Sequence, residues 1–171
     1  DAPSAPTLYL FPPARIGHHP MKSHSIPSPL LRICRTPPLC VAPSATVSEA
    51  TRVMVENRVG AVAVVKDDVL VGILTERDLM VKVTDRDDDP ARLLVEDAME
   101  TDVRTVTPSA SHEHAANVML THHCRHLPVI DARGKVLGML SIRHLYREQL
   151  RRLQGQMDSL EAYMSADGPG G

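Results

Sequence analysis

The feature that most constrains this chain of 171 residues is an internal repeat, because residues 41–79 recur as residues 106–145. The matching pairs are Val41-Ala42-Pro43 with Val106-Thr107-Pro108, Val53-Met54 with Val118-Met119, and Gly72-Ile73-Leu74 with Gly138-Met139-Leu140. The offset is 65 residues in the first two pairs and 66 in the third, after one inserted residue. Self-similarity at a long period indicates two copies of one structural unit. Each copy is too small to bury a good core alone, so we expect the two to pack together.

Each repeat is predicted to have the order β-α-β-β-α, which puts the chain in the α/β (α+β) class. In the first copy, apolar residues at helical spacing predict a helix that begins after Thr46 or Ser48 and reaches Asn57. We expect Gly60 to break this helix. The apolar run Ala61–Val65 is typical of a strand that is buried on both faces. The two repeats are expected to pack sheet to sheet as one pseudo-symmetric pair.

The domain organisation follows from these patterns and from shifts in composition. We predict a disordered Pro/Ser-rich leader at residues 1–29, a first repeat at 30–84, an acidic linker at 85–97, a second repeat at 98–147, an amphipathic helix at 148–165 and a disordered tail at 166–171. The leader has two further interpretations. One is an extension ahead of Met21, and the other is an organelle transit peptide, since residues 2–48 contain no Asp or Glu.

Composition argues against several classes of function. Hydrophobic residues make up 43% of the chain and aromatic residues only 2%, so the core must be aliphatic, and stacking of nucleic-acid bases is poorly supported. The net charge of −2 gives no basic footprint for nucleic acid. No apolar run reaches the roughly 18 residues that a membrane-spanning helix needs. We therefore predict a cytoplasmic protein without membrane or nucleic-acid partners, with organelle targeting left open.

The last helix carries a heptad seam of apolar residues. The seam consists of Tyr146, Leu150, Leu153, Met157, Leu160 and Met164, which are spaced four, three, four, three and four residues apart. Gly155 weakens the helix by about 1 kcal/mol relative to Ala. Two interpretations stay open at this point: the helix folds back on its own domain, or it forms a short coiled coil with a second copy.

Four polar clusters were weighed as sites, each against an ordinary structural role. They are Cys124 beside Arg125 as a redox-sensitive thiol, His122-His123-x-x-His126 as metal ligands, the acidic run 85–89 as a cation site, and Arg147, Arg151 and Arg152 as a nucleic-acid contact. In each case the ordinary role is favoured. No nucleophile–base motif, phosphate-binding loop or zinc spacing is present, so we predict neither catalysis nor a metal site.

Two motifs carry a resemblance to a known family. The ending Gly-Ile-Leu-Thr-x-x-Asp at residues 72–78 and the stretch His-Leu-Pro-Val-Ile-Asp at residues 126–131, each within a repeat, resemble the tandem cystathionine-β-synthase (CBS) domain pair. The resemblance covers about residues 30–150. It implies a regulatory module that needs no cofactor, forms a homodimer and acts on a partner protein that the sequence does not identify. Its regulatory ligand would be AMP, ADP, ATP or S-adenosylmethionine.

The resemblance also implies a first ligand cleft between the repeats. Its candidates are Thr75 and Asp78 for ribose, Arg125 and His126 for phosphate, and Thr105, Val106 and Cys124 for adenine. A carboxylate at a helix start can accept charge-assisted bonds from both ribose hydroxyls. Exposed N–H groups at that helix end favour anions. Related proteins such as the gamma subunit of the AMP-activated kinase have a His-Arg pair where this chain has Arg-His, which leaves the phosphate contacts undefined.

A second cleft is implied at the pseudo-symmetric position. Its candidates are Ala45, Ala50, Val59, Gly60, Ala61, Ser141 and His144. This cleft has His144 in place of the ribose carboxylate and Gly60 where a cation would help, so we expect it to be empty or weak. The alternative for the whole chain is a ligand-free interaction module that acts as a homodimer.

Overall fold

The computed structural model describes residues 28–83 and 89–166. Its elements, in chain order, are β1 (Cys40–Val41), α1 (Val47–Asn57), β2 (Ala61–Lys66), β3 (Val69–Thr75), α2 (Glu76–Asp78), α3 (Val95–Ala98), α4 (His112–Thr121), β4 (His126–Ile130), β5 (Val136–Ser141) and α5 (Ile142–Ala166). A π-helical turn, Leu79–Val83, continues α2. The predicted mixed α/β class is confirmed. The leader up to residue 27, the acidic residues 85–88 and the tail from residue 167 lie outside the described residues.

Each repeat contributes one small sheet. In the first, β1 runs parallel to β2, and β2 pairs with β3 in antiparallel fashion. In the second, β4 and β5 are antiparallel, and Val106 makes a single parallel bridge to Val129 in place of a full first strand. The register shifts at equivalent points, after Val64 in one sheet and after Val129 in the other. The sequence repeat is therefore also a structural repeat, and the two sheets share the position of the register shift.

The segment that precedes each repeat packs on the other repeat. Arg35 bridges to Met139 of β5, and Glu100 bridges to Ile73 of β3, through reciprocal backbone hydrogen bonds of 2.9–3.1 Å. Leu30 is fully buried in the core of the second repeat, and Val95 is fully buried in that of the first. Each core is thus completed by the segment that precedes the other repeat. We call these two segments, which contain Leu30 and Val95, the leading segments. The predicted linker 85–97 ends in α3, a helix of the first core.

Two glycines allow the leading segments to lie close to the sheets of the opposite repeats. A Cβ atom on Gly72 would collide with Sδ of Met99, and one on Gly138 would collide with Sγ of Cys34. The two glycines and their two sulfur-bearing neighbours occupy equivalent positions in the repeat. Close approach of each leading segment to the opposite sheet therefore depends on the absence of a side chain at these points.

The two sheets pack against each other through small and medium aliphatic residues. This interface contains Ala61, Ala63, Ile73, Val136 and Met139, all of which are buried. Because the facing side chains are small, the two sheets can approach closely, and this gives the sheet-to-sheet packing expected from the repeat.

Local caps explain where the first helix begins and ends. Thr46 and Glu49 form a capping box, in which Oγ1 of Thr46 accepts from the Glu49 N–H and the Glu49 carboxylate accepts from the Thr46 N–H. The helix ends at Asn57 because Arg58 adopts a left-handed conformation with φ 53°. The expectation that Gly60 breaks this helix is therefore wrong, because the helix has already ended.

The last helix is continuous from Ile142 to Ala166 and leaves the domain partway along. Arg152 is its outer attachment point: it lies 2.6 Å from Nδ1 of His112 and 3.9 Å from the Glu113 carboxylate on α4. Beyond it, Met157 and Leu160 are 61% and 64% exposed. The interpretation in which this helix folds back on its own domain is therefore wrong.

Candidate functional site

The start of α2 brings together the two residues predicted to bind ribose. Thr75 caps the helix, and its hydroxyl accepts from the Asp78 N–H at 3.3 Å. Oδ2 of Asp78 in turn accepts from the Thr75 backbone N–H at 2.9 Å and from its hydroxyl at 2.7 Å. The two side chains thus form a capping box, and one carboxylate oxygen already has a structural role. Oδ1 of Asp78 takes no part in these three bonds.

The start of α5 repeats this arrangement with an imidazole in place of the carboxylate. Nδ1 of His144 accepts from the Ser141 backbone N–H at 3.2 Å. The pKa of His144 is lowered by burial and by the guanidinium groups of Arg147, Arg143 and Arg35. A neutral imidazole that accepts at Nδ1 carries its proton on Nε2. His144 therefore offers a hydrogen-bond donor where Asp78 offers an acceptor.

A cavity of about 320 Å³ opens at the second cleft. The described residues that line it are Arg35, Leu39, Arg58, Val59, Gly60, Ala61, His126, Met139, Ser141, Arg143, His144 and Arg147. This lining includes five of the seven residues predicted for the second cleft. It joins the start of β2, the start of β4 and the first turns of α5, so both repeats contribute to it.

Arginine dominates the charge of this cavity. Arg35, Arg58, Arg143 and Arg147 line it, and no Asp or Glu is among the described lining residues. Arg35 is held by a 2.9 Å bond to the Asn57 amide oxygen, while its buried Nε has no partner among the described residues. The expectation that this cleft lacks a cation is therefore wrong. The prediction considered only Gly60.

His126 lines this second cavity, although the sequence prediction placed it in the first cleft. Burial lowers the pKa of His126 to about 4, with help from the charges of Arg125, Arg143 and His144. The imidazole is therefore neutral near pH 7. The positive charge of this cavity therefore comes from its arginines and not from His126.

The remaining residues of the predicted clefts divide into accessible and buried ones. Arg125 is exposed, and Thr105 and Cys124 are partly buried. Val106 is 4% exposed within the core of the second repeat, and Ala50 is fully buried in that of the first. The assignments of Val106 to an adenine pocket and of Ala50 to the second cleft are therefore wrong, because these side chains contribute to the cores.

The partly buried thiol of Cys124 has no activating environment. Burial raises its pKa, and this effect outweighs the opposing influence of Arg104 and of a backbone hydrogen bond. The sequence-based suggestion of a lowered pKa is wrong, so Cys124 is not activated as a thiolate.

Within residues 28–83 and 89–166, no group of three or more His, Cys, Asp or Glu side chains could hold a metal ion. Helix α4 ends at Thr121, and His123 takes a left-handed conformation with φ 51°, so the His122-His123-x-x-His126 residues do not share a helical face. None of the helices in these ranges is long and apolar enough to cross a membrane.

Comparison with known proteins matches this chain to one family. The model of the CBS domain matches residues 31–85 and again residues 95–151. A 17.7 kDa protein of Acidianus ambivalens is 38% identical over 120 residues, which are 70% of this chain and 71% of that one. The CBS domain-containing protein YhcV of Bacillus subtilis is 34% identical over 63% of this chain and 79% of its own length.

Solved structures give the same architecture. CBSX2 in complex with AMP superimposes with a TM-score of 0.61 at 29% identity, over 71% of this chain and 96% of that one. The CBS domain pair of MJ0100, solved with 5′-methylthioadenosine and S-adenosylmethionine, has a TM-score of 0.66 over 72% of this chain and 96% of that one. At 21% identity, this second likeness shows the fold alone.

Proposed function

The chain belongs to the CBS-domain family, and we propose that it is a regulatory module that binds an adenine nucleotide or a related adenosyl ligand between its repeats. The observation that carries this proposal is the arginine-lined cavity, in which both repeats meet. The AMP complex of the similar protein CBSX2 supports an adenine nucleotide as the ligand class.

The chemistry of the cavity suits a phosphorylated ligand. Guanidinium groups bind phosphate through paired, charge-assisted hydrogen bonds. Arg35 is the best placed of the four, because the Asn57 amide fixes one of its nitrogens while the buried Nε is left without a protein partner. Such a buried donor is costly until an acceptor reaches it. An incoming phosphate oxygen would satisfy it.

The rest of the cavity suits the nucleoside. Leu39, Val59 and Ala61 provide an apolar surface for a base, and aromatic stacking is not needed for this. The Ser141 hydroxyl and Nε2 of His144 are available for the sugar. The volume lies at the lower end of the range for small-molecule sites, about 300–1,000 Å³.

The first cleft remains our proposal for a second site of different chemistry. Thr75 and Asp78 would receive the ribose hydroxyls through Oδ1, the oxygen that the capping box leaves over. Arg125, Thr105 and Cys124 would lie around the rest of the ligand. Because Asp78 brings a negative charge, this site should favour a ligand with less phosphate, such as S-adenosylmethionine.

Regulation would follow from differential affinity. A ligand that spans both repeats stabilises the arrangement in which they are packed together, and a partner that binds this arrangement more tightly is favoured in turn. We propose no catalytic role. The partner protein is characterised only by its tighter binding to the arrangement that the ligand stabilises.

Calorimetric titration of the full chain with AMP, ADP, ATP and S-adenosylmethionine tests the proposal. We expect the phosphorylated ligands to bind, and Arg143→Gln to weaken their binding by about 10- to 150-fold, since a lost charged hydrogen bond is worth about 1.5–3 kcal/mol. Arg133→Gln is the matched control, because it removes the same charge from an exposed hairpin turn outside the cavity. Asp78→Ala, tested in parallel, reports on the first cleft.

Two results would contradict the proposed site. If Asp78→Ala abolished nucleotide binding and Arg143→Gln left it unchanged, the nucleotide would occupy the first cleft. If none of the four ligands bound to a well-folded chain, the ligand-free interaction module would become the better description.

A further inference from the structure

Along most of its length, α5 carries an apolar face that its own domain does not cover. The exposed fractions are 65% for Tyr146, 44% for Leu150, 47% for Leu153, 61% for Met157, 64% for Leu160 and 75% for Met164. We call these residues the α5 seam. They follow one another at heptad spacing along a continuous helix, which is the pattern of a coiled-coil contact.

The spacing of the α5 seam is the same in both directions, four, three, four, three, four. A second α5 laid antiparallel can therefore place Leu153 against Met157 of the second copy, and Leu150 against Leu160. In the same register, Tyr146 meets Met164, so every seam residue has a partner. We propose that α5 pairs with α5 of a second copy of this chain as an antiparallel two-stranded coiled coil.

The residues that flank the seam favour this direction. With Leu150 at position a, Arg147, Gln154 and Glu161 occupy the e positions. In an antiparallel pair, e positions face e positions, so Arg147 opposes Glu161 of the second copy on both sides, and Gln154 opposes its own copy. A parallel pair would set glutamine against glutamine or against Glu161, with no opposite charges. Charge complementarity thus distinguishes the two directions.

The other side of the helix is already engaged in its own chain. Glu148 forms ion pairs with Arg151 at 2.9 Å and with Arg152 at 3.2 Å, and Arg152 continues to α4. Gly155 falls at the outward f position, where an added Cβ would meet nothing within 4 Å. It therefore weakens the helix without leaving a gap in the seam. The interface shares only Arg147 with the proposed ligand cavity.

Sedimentation velocity of the full chain without nucleotide, from micromolar to near-millimolar concentration, tests the interface. We expect a dimer in the wild type and a monomer in the double variant Leu153→Asp/Leu160→Asp. The matched control Ser159→Asp/Ala162→Asp adds the same charges at the outward c and f positions, away from the α5 seam, and should remain dimeric. A wild type that is monomeric throughout, or a seam variant that is still dimeric, would overturn the proposal. Both readouts are made without ligand, so they are separate from the test of the cavity.

Disulfide trapping tests the direction. Under mild oxidation, Gln154→Cys should form a covalent dimer, because the two copies of this residue are neighbours only in the antiparallel pair. Leu150→Cys should not, since its two copies lie roughly 15 Å apart along the axis at 1.5 Å per residue. The wild type under the same oxidation accounts for the native cysteines. Trapping through Leu150→Cys instead of Gln154→Cys would indicate parallel pairing and overturn the antiparallel arrangement.

Discussion

The second cleft and the predicted first cleft have nearly the same backbone but carry different side chains at three equivalent positions. Repeat equivalence sets Arg35 against Glu100, His144 against Asp78 and Arg147 against Val81. At these three positions the second cleft therefore has two cations and a donor imidazole, whereas the equivalent residues are two carboxylates and a valine. The internal repeat conserves the positions from which side chains reach a ligand. It does not conserve what those side chains can bind, and each cleft must be interpreted from its own residues.

The starts of α2 and α5 show how small the difference between the two clefts is. Asp78 and His144 both accept a backbone N–H at the start of a helix, so either residue satisfies the fold locally. The two residues differ in what they offer to other groups: Asp78 offers a charged acceptor, and His144 offers a neutral donor. A substitution at this one position can thus replace the hydrogen-bond acceptor of a carboxylate with the donor of an imidazole.

The largest expected effect is on the free energy of unfolding, and it compares the two cores. Leu30→Ala should lower the free energy of unfolding by about 2–5 kcal/mol, because it removes a fully buried side chain from the second core. Val95→Ala should do the same to the first core with a smaller loss, since it removes less apolar surface. Denaturant unfolding measures both losses, and Val55→Ala, at a 71% exposed site, is the control.

Amide hydrogen exchange then shows which strands lose protection in each variant. Leu30→Ala should first speed exchange in β4 and β5, and Val95→Ala in β2 and β3. If protection were lost first in the repeat that directly follows the mutated segment in the sequence, that segment would pack on its own repeat. This result would contradict the exchange of leading segments between the cores.

The next effect depends on pH and belongs to the second cleft. The pKa of His126 is about 4 in the folded chain, against an ordinary value of 6.5. The unfolded chain therefore binds the proton more readily, and this contribution to stability falls as the pH is lowered from 6.5 to 4. Its size is at most about 3 kcal/mol, at 1.36 kcal/mol per pKa unit. Ala61, the equivalent residue of the first repeat, contributes nothing of this kind.

Denaturant unfolding at pH 7 and at pH 4.5 compares the wild type with His126→Gln. The wild type should lose more stability than the variant over this interval. An equal loss in both would place the imidazole in a solvated environment and contradict the burial that lowers its pKa.

The smallest effect compares the two caps. Asp78→Ala should cost about 1 kcal/mol, which is the usual value of a lost cap. His144→Ala should cost less, because it removes one 3.2 Å bond and also relieves a desolvated imidazole among arginines. Parallel thermal and denaturant melts measure the difference. Equal costs would mean that the charge of the capping group does not matter to the fold.

Much of the fold was predictable because it depends on local patterns that occur twice. The spacing of apolar residues indicated the first helix, and the cap at Thr46 confirms its expected start. The exchanged leading segments were missed, because a short apolar segment such as Leu30–Cys34 carries no periodicity that shows which core it enters. Only tertiary packing decides that.

The candidate site was predictable in part. Thr75 with Asp78 and Ser141 with His144 could be found because a motif places them at the start of a helix. Arg35 and Arg147 could not, since one lies on an exchanged segment and the other two turns into a long helix. Sequence reasoning also assigned Val106 and Ala50 to ligand contacts, although burial in the cores takes them out of reach.

The exchanged segments have a consequence for how the chain is made. During synthesis Leu30 emerges long before β4 and β5, the strands against which it is finally buried, while the first core has to wait for Val95. The first repeat therefore cannot reach its final packing on the ribosome until Val95 has been released, and Leu30 stays without its core until β4 and β5 have followed. This delay should hold the nascent chain in an incomplete state that exposes apolar surface. The first repeat is then completed only by the segment that leads into the second, and the second core is completed by a residue made long before it.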